Sequence, residues 1–125
     1  MTARGTAEKF FGHMQAGEVD EVLGLATRDA TVSLVPLNWH GPMAADGARY
    51  FRELASVFPD LLVRVRRLFV TADRTAVAEI TIEGTQASDF LAVANQEKPF
   101  DLDQAWMLTI TPLLPQTGAS TALWL

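Results

Sequence analysis

The sequence predicts an α+β domain in which three helices of the N-terminal half are followed by a curved antiparallel sheet. Two observations support this prediction. Apolar residues recur at helical spacing three times within residues 1–58, whereas from Leu61 onward they alternate with polar residues, as on strands that bury one face. Helices followed by consecutive strands are typical of the α+β class rather than of a parallel α/β sheet.

The first two helices are short and are separated by a glycine. The first is predicted over Thr6–Gln15, with Thr6 as its N-cap, and Gly17 interrupts the apolar spacing. The second repeats the same spacing with Val19, Val22, Leu23 and Ala26.

A strand and a third helix follow. Ala30–Pro36 is β-branched and apolar, which predicts a strand, and a loop through Gly41 and Pro42 comes after it. Asp46 or Gly47 opens the third helix, Asp46 is expected to cap it, and Pro59 ends it.

The second half predicts four strands of a meander. Their ranges are 61–70, 75–85, 100–110 and 119–125, with a turn at 71–74. One face of the second of these strands is apolar and is made by Ala76, Ala78, Ile80 and Ile82.

Composition limits the function classes. The chain has 125 residues, which fits one domain with its own core, and its net charge of -5 argues against a nucleic-acid partner. It has two histidines and no cysteine, which argues against a zinc site and excludes disulfides. The sequence shows neither a signal peptide nor an apolar run of membrane-spanning length. We therefore expect a cytoplasmic protein with no membrane partner.

Four short segments, in this order and spacing, resemble one known superfamily. They are residues 15–20 between the first two helices, 29–32 at the start of the first strand, 58–61 after the third helix, and 84–86 followed by 89–91. The chain resembles the nuclear transport factor 2-like superfamily, and within it the branch of SnoaL-like polyketide cyclases and ketosteroid isomerases. The resemblance covers nearly the whole chain and implies a single domain over residues 1–125.

That resemblance implies a cone-shaped, cystatin-like roll. Its concave sheet face and three helices would enclose one apolar cavity, and its outer sheet face would form a homodimer. An apolar enclosure favours cofactor-independent acid/base chemistry because desolvation raises a carboxyl pKa towards the working range. The ketosteroid isomerase pattern uses a carboxylate base with tyrosine and carboxylic acid donors.

The isomerase positions carry other residues here. The tyrosine position of the first helix is Phe10, the position of the base is Leu34, and the later acid falls on Trp106. Cyclases often place a histidine after the Gly-Thr pair, where this chain has Gln86. By these residues the chain resembles a diverged member of that branch, and a steroid isomerase mechanism is not expected.

Two residues remain as candidates for proton transfer. Asp103 could be a pocket acid if it faces inward; the alternative is a solvated strand residue paired with Lys98 or an arginine. His40 could lie at the cavity rim as a proton shuttle, and the alternative is an exposed loop histidine.

Aromatic residues are the candidate cavity walls, and they would suit a flat apolar ligand. Core packing is the competing explanation for most of them. The candidate binding residues are Trp39, Tyr50, Phe58, Gln86, Phe90 and Trp106, together with Phe10 and Met14.

Two functions follow as hypotheses. The first is a cofactor-independent enzyme, a cyclase, isomerase, dehydratase or hydroxylation-associated protein, acting on a polyketide-like or other apolar cyclic substrate. The second is a non-catalytic module of the same fold that binds an apolar ligand or a partner.

Overall fold

The computed structural model describes residues 2–27, 30–34, 38–89, 99–110 and 119–124, with the backbone alone for Leu34 and 119–124. The helices are α1 (Ala3–Ala16), α2 (Val19–Gly24) and α3 (Ala48–Val57), the last preceded by a π-helical turn, Met43–Gly47. The strands are β1 (Thr31–Leu34), β2 (Trp39–Pro42), β3 (Leu62–Val70), β4 (Thr75–Thr85), β5 (Pro99–Ile110) and β6 (Ala119–Trp124). Among the described residues, no helix has the length and apolar character needed to cross a membrane.

The six strands form one sheet in the order β2-β1-β6-β5-β4-β3. All neighbours are antiparallel except β1 and β6, which run parallel with Val32 opposite Thr121. The predicted α+β class is confirmed. The prediction of a simple meander is incomplete in two respects. Strand β2 forms where a loop was predicted, and β6 pairs with β1 as well as with β5.

Helix α1 begins three residues before the predicted start. Thr2 is its N-cap, and the Thr2 Oγ1 atom accepts a hydrogen bond from the Gly5 amide at 3.0 Å. The prediction that Thr6 caps this helix is wrong, since Thr6 lies inside it and donates to the Thr2 carbonyl. Gly17 ends the helix in the left-handed conformation, with φ of 72°.

Of the two predicted first residues of α3, Gly47 is confirmed as its N-cap, and it is also the last residue of the π-helical turn. Asp46 lies within this turn rather than before the helix, so its predicted capping role is wrong. Its carboxylate packs directly over Gly41 of β2, where a β-carbon would overlap it. A side chain at that position would therefore displace the Asp46 carboxylate.

The inner face of the sheet carries the core. The predicted apolar face of β4 is confirmed, and it contributes the buried residues Ala76, Ala78, Ile80 and Ile82. In register with them, β5 contributes Leu108, Trp106, Gln104 and Leu102. Helices α1 and α3 cover this face with Phe10, Phe11, Met14, Tyr50, Phe51 and Leu54.

Candidate functional site

An aromatic cluster occupies the space between the sheet and the helices. Trp106, which is 0% exposed, lies at its centre, with ring centroids of Phe10, Phe51 and Tyr50 at 5.6, 6.0 and 6.1 Å. The ring of Phe11 lies 6.2 Å away on the α1 side. These five rings hold one another in place, because each edge or face contact limits the rotation of its neighbours.

A chain of hydrogen bonds runs through this cluster. The indole Nε1 of Trp106 lies 2.9 Å from Oε1 of Gln104, and Nε2 of the same amide lies 3.0 Å from the Tyr50 hydroxyl oxygen. Gln104 and Trp106 stand two residues apart on β5, so strand alternation puts both on the inner face. Tyr50 reaches the amide from α3, on the opposite side of the core.

The direction of this chain follows from the chemistry of its groups. An indole nitrogen can only donate, so the oxygen of the Gln104 amide must face Trp106 and its nitrogen must face Tyr50. The Tyr50 oxygen therefore accepts from Gln104, and its own hydrogen is directed to a different acceptor. Every donor in the chain points the same way, an arrangement in which each bond polarises the next.

Burial keeps the Tyr50 hydroxyl protonated. Desolvation raises the pKa of Tyr50 from 10.0 to about 12, and the hydrogen bond from Gln104 opposes this rise only in part. Tyr50 is therefore a neutral hydrogen-bond donor throughout the physiological pH range.

The remaining candidate wall residues lie in the core or at its edge. Phe10, Met14 and Phe58 are buried, and the ring of Phe58 lies 5.3 Å from that of Phe100. Trp39 is half-buried on β2, and the Arg49 guanidinium lies 4.4 Å above its ring. Phe90, which was predicted as a wall residue, lies outside the described residues.

Gln86 is buried at the point where the chain leaves β4. Two contacts hold this segment against the end of α3: Asp60 Oδ1 accepts from the Thr85 amide at 2.8 Å, and Ala87 N donates to the Val57 carbonyl at 2.8 Å. The Thr85 amide lowers the pKa of the Asp60 carboxyl. A buried amide side chain thus stands where the resemblance expected a histidine.

Asp103 points away from the core, so the prediction of an inward pocket acid is wrong. Its side chain is 70% exposed, accepts a hydrogen bond from Thr81 at 2.7 Å and lies 3.6 Å from Arg66. Its neighbours in sequence, Leu102 and Gln104, take the inward positions, and strand alternation therefore places Asp103 outside. The competing interpretation, a solvated strand residue paired with an arginine, describes its environment.

His40 is also exposed, and it lies on β2 rather than in a loop. Its Nδ1 is 2.5 Å from the Ser33 hydroxyl, directly across the strand pair. Ser33 follows the buried Val32, so this pair occupies the face opposite the core. The expected position at the rim of an inner cavity is therefore wrong.

The interior that the structure describes offers neutral hydrogen-bonding groups. Its buried polar side chains are Thr6, Gln86 and Gln104, together with the hydroxyl of Tyr50 and the indole of Trp106, whereas Thr81 is buried on the outer face, where it donates to Asp103. Within the described ranges there is also no group of three or more potential metal ligands. These groups donate and accept hydrogen bonds without an ionised side chain.

Gln104 is the functional candidate that the sequence analysis missed. The available signal was its even spacing from Trp106, which already implied a shared face. An acidic neighbour at Asp103 drew the prediction instead, because carboxylates are the usual residues of acid/base sites.

Comparison with known proteins places this sequence in a family. A family model described as a SnoaL-like domain matches residues 7–111. No curated protein sequence matches the chain.

Solved structures share the fold at low sequence identity. A proposed SnoaL-like polyketide cyclase from Jannaschia sp. CCS1 has a TM-score of 0.80 and 18% identity, covering 98% of this chain and 83% of that one. The epoxide hydrolase/cyclase-like enzyme SalBIII has a TM-score of 0.78 and 15% identity, with coverage of 98% and 88%. IdmH, a proposed polyketide cyclase from Streptomyces antibioticus, has a TM-score of 0.77 and 15% identity, with coverage of 99% and 91%. Since the family model spans most of the sequence, the chain belongs to the SnoaL-like domain family.

Proposed function

We propose that this protein is a cofactor-independent enzyme that binds an apolar, polyketide-like cyclic substrate and promotes its cyclisation or isomerisation. The observation that carries the proposal is the directed chain from Trp106 through Gln104 to Tyr50 inside an aromatic enclosure. Asp103 and His40 take no part, because both lie on the outer face.

The chemistry would depend on a carbonyl oxygen of the substrate. Negative charge develops on that oxygen when the carbonyl enolises or is attacked, and a preorganised donor stabilises this charge more strongly than water does. Removing one such donor costs about 10²–10³ in rate in enzymes that rely on it. We assign this donor role to the hydroxyl of Tyr50, which burial keeps neutral by raising its pKa.

The substrate class is suggested by similar structures. SalBIII is described with a role in pyran ring formation in the polyether salinomycin, and two other neighbours are described as proposed polyketide cyclases. Their sequence identities of 15–18% show the fold alone, so the polyketide-like substrate is part of our proposal. The aromatic walls agree with it, since flat rings stack well on such a ligand.

A second candidate function is binding without chemistry. It is favoured by one observation: the buried polar side chains of the described residues include no carboxylate and no imidazole. In this case the interior would hold an apolar ligand, and the amide–phenol chain would only orient it.

A small ketone distinguishes the two functions. 2-Tetralone in D₂O exchanges its α-protons when it enolises, and NMR follows this exchange directly. We expect exchange above the buffer rate with the wild-type protein, loss of most of it in Tyr50→Phe, and wild-type rates in Asp103→Asn. Saturable binding of 2-tetralone without exchange would support the binding module, and the absence of both binding and exchange would reject the two candidates together.

We also propose that the protein forms a homodimer through the outer face of the sheet. The strand register aligns a row of three apolar residues across this face: Phe69, Val77 and Met107. Phe69 is 48% exposed and Met107 is 40% exposed, which is unusual for large apolar side chains. Beside the row, Arg67 pairs with Glu79 at 3.9 Å, so the face offers both charges to an identical partner.

The dimer is tested by introducing a charge into the apolar row. Met107→Glu should convert the protein to a monomer in light scattering after size exclusion. Thr109→Glu, two residues along the same strand and also exposed, is the matched control and should remain dimeric. A monomeric wild-type protein at micromolar concentration would refute the proposal.

A further inference from the structure

We infer that the groove between helix α1 and strand β3 is a separate ligand site, which binds a small apolar molecule ending in an ionised carboxylate. The groove has a volume of about 460 Å³, within the range of about 300–1,000 Å³ that is typical of small-molecule sites. Phe11 is the one member of the aromatic cluster that lines it. The inference therefore does not depend on the proposed function.

The groove is closed at both ends by side chains of α1 that reach β3. At one end the Arg4 guanidinium donates to the Leu68 carbonyl at 2.8 Å, and at the other end Gln15 Oε1 accepts from the Val63 amide at 2.8 Å. Strand β3 is the last in the sheet order, so both backbone groups lie on its free edge. The helix spans 11 positions from Arg4 to Gln15, which at about 1.5 Å per residue gives a groove about 16 Å long.

The floor of the groove is apolar and accessible. Val63, Val65 and Leu68 stand opposite inward-facing residues of β4, so their side chains lie on the face of the sheet that α1 covers. Val65 nevertheless remains 41% exposed. Gly12 lines the groove from the helix side, and a β-carbon built there would meet no atom within 4 Å. An apolar ligand body would cover this surface, and such burial is favourable.

The charges around the groove indicate that the ligand carries a negative end group. Arg4, Arg66 and Arg67 line the groove together with one acid, Glu8, although the net charge of the whole chain is -5. Arg66 and Arg67 also pair with acids of the outer face, at 3.6 and 3.9 Å. They therefore contribute to the local positive potential, and Arg4 is the residue whose guanidinium makes its contact within the groove.

Arg4 can hold a carboxylate directly. Its side chain is exposed and uses one guanidinium nitrogen for the Leu68 carbonyl. The other N–H groups belong to a planar fork that matches the two oxygens of a carboxylate. Glu8 lies one turn further along the same side of α1, so a doubly charged phosphate would be repelled more strongly than a singly charged carboxylate.

Three probes with the same carbon skeleton test the end group. 4-Phenylbutanoate is an anion at neutral pH, 4-phenylbutan-1-ol is neutral, and 4-phenylbutylamine is a cation. Amide NMR spectra of the isotope-labelled protein give both the dissociation constant and the location of each probe. We expect the carboxylate to bind most tightly and the amine most weakly, with shifts of the Gly12 and Val65 amides and none at Gln104.

Four variants test the contacts. Arg4→Gln should raise the dissociation constant of 4-phenylbutanoate about fivefold and leave that of the alcohol unchanged. Arg64→Gln removes the same charge from the outer face of β3, where Arg64 pairs with Glu83, and should change neither value. Gly12→Leu places a side chain in the groove and should weaken both probes. Gly24→Leu, in open space on α2, is its control, and circular dichroism confirms that each variant is folded.

Each alternative outcome overturns the inference. Equal weakening by Arg4→Gln and Arg64→Gln would mean attraction to the protein as a whole. An alcohol that binds as tightly as the carboxylate would remove the selection of an anion, and unchanged binding in Gly12→Leu would remove the groove. Shifts at Gln104 instead of Gly12 would place the probe in the aromatic cluster, and the absence of all binding would reject the site. The proposed function is tested separately with 2-tetralone, so either can fail while the other stands.

Discussion

Alkaline pH should destabilise this protein through one buried phenol. Tyr50 is the single tyrosine of the chain, and burial raises its pKa from 10.0 to about 12. In the unfolded chain the phenol loses its proton near its ordinary pKa, while in the folded protein it keeps that proton until about pH 12. Between these values the unfolded state binds fewer protons, so the free energy of unfolding falls as the pH rises.

The size of the effect follows from the two pKa values. Each pH unit in this window removes about 1.4 kcal/mol, because one proton is released on unfolding. Tyr50 should therefore lower the free energy of unfolding by about 1.4 kcal/mol at pH 11 and by about 2 kcal/mol at pH 12, relative to pH 9. Below the ordinary pKa of the phenol the contribution of Tyr50 is constant.

Urea unfolding followed by tryptophan fluorescence measures this loss at pH 9, 10 and 11. Tyr50→Phe is the control, because lysines, arginines and the N-terminus titrate in both proteins and cancel in the difference. The variant also leaves the Gln104 amide without this acceptor, which lowers its free energy of unfolding by an amount that does not depend on pH. We expect the free energy of unfolding of the wild type, minus that of Tyr50→Phe, to fall by about 1.4 kcal/mol between pH 9 and pH 11.

One result would refute the reasoning. If the wild-type protein and Tyr50→Phe lose stability in parallel from pH 9 to pH 11, the phenol is not held neutral by burial. The titration of Tyr50 would then have to be followed by its absorbance at 295 nm, and an ordinary midpoint near pH 10 would show that water reaches the hydroxyl.

Three further predictions concern stability. Gly84→Ala should destabilise the protein by about 1–3 kcal/mol in urea unfolding, because the new methyl group would lie 3.0 Å from the Phe58 ring. Gly12 lies on α1 with open space around it, so Gly12→Ala should stabilise the protein by about 0.5–1 kcal/mol. Asp103→Asn should change stability by less than about 1 kcal/mol, since its ion pair is exposed, and a larger loss would mean that the outer face is covered in solution. Thr2→Ala should cost about 1 kcal/mol in thermal unfolding, and no change would show that the cap bond to Gly5 does not form.

Local patterns predicted the elements well where one periodicity dominated. The alternation from Ala76 to Ile82 identified both the strand and its buried face, because side chains of a strand alternate and only one face of this sheet meets the helices. Caps were predicted poorly. Thr2 and Thr6 are both good N-cap residues, and the choice between them depends on whether Ala3 and Ala7 are buried, which local sequence does not reveal.

The candidate site was predicted in its walls but not in its polar groups. Tyr50, Phe58 and Trp106 were recognised as interior residues, because large aromatic side chains are costly to leave in water. Asp103 was chosen over Gln104 because acids are the expected residues of such sites. The two residues are neighbours on β5, and neighbouring side chains of a strand point to opposite faces of the sheet, so Gln104 lies in the core and Asp103 faces solvent.

By itself the sequence determined the order of helices and strands, the apolar faces that must be buried, and the family resemblance. The tertiary structure alone decided that β6 returns beside β1, that Ala78 lies opposite Trp106, and that the amide of Gln104 meets the hydroxyl of Tyr50. The physical reason is that periodicity acts between near neighbours, whereas Tyr50 and Gln104 are 54 residues apart. Their hydrogen bond forms because a helix packs across a sheet, and the local sequence of neither segment predicts that contact.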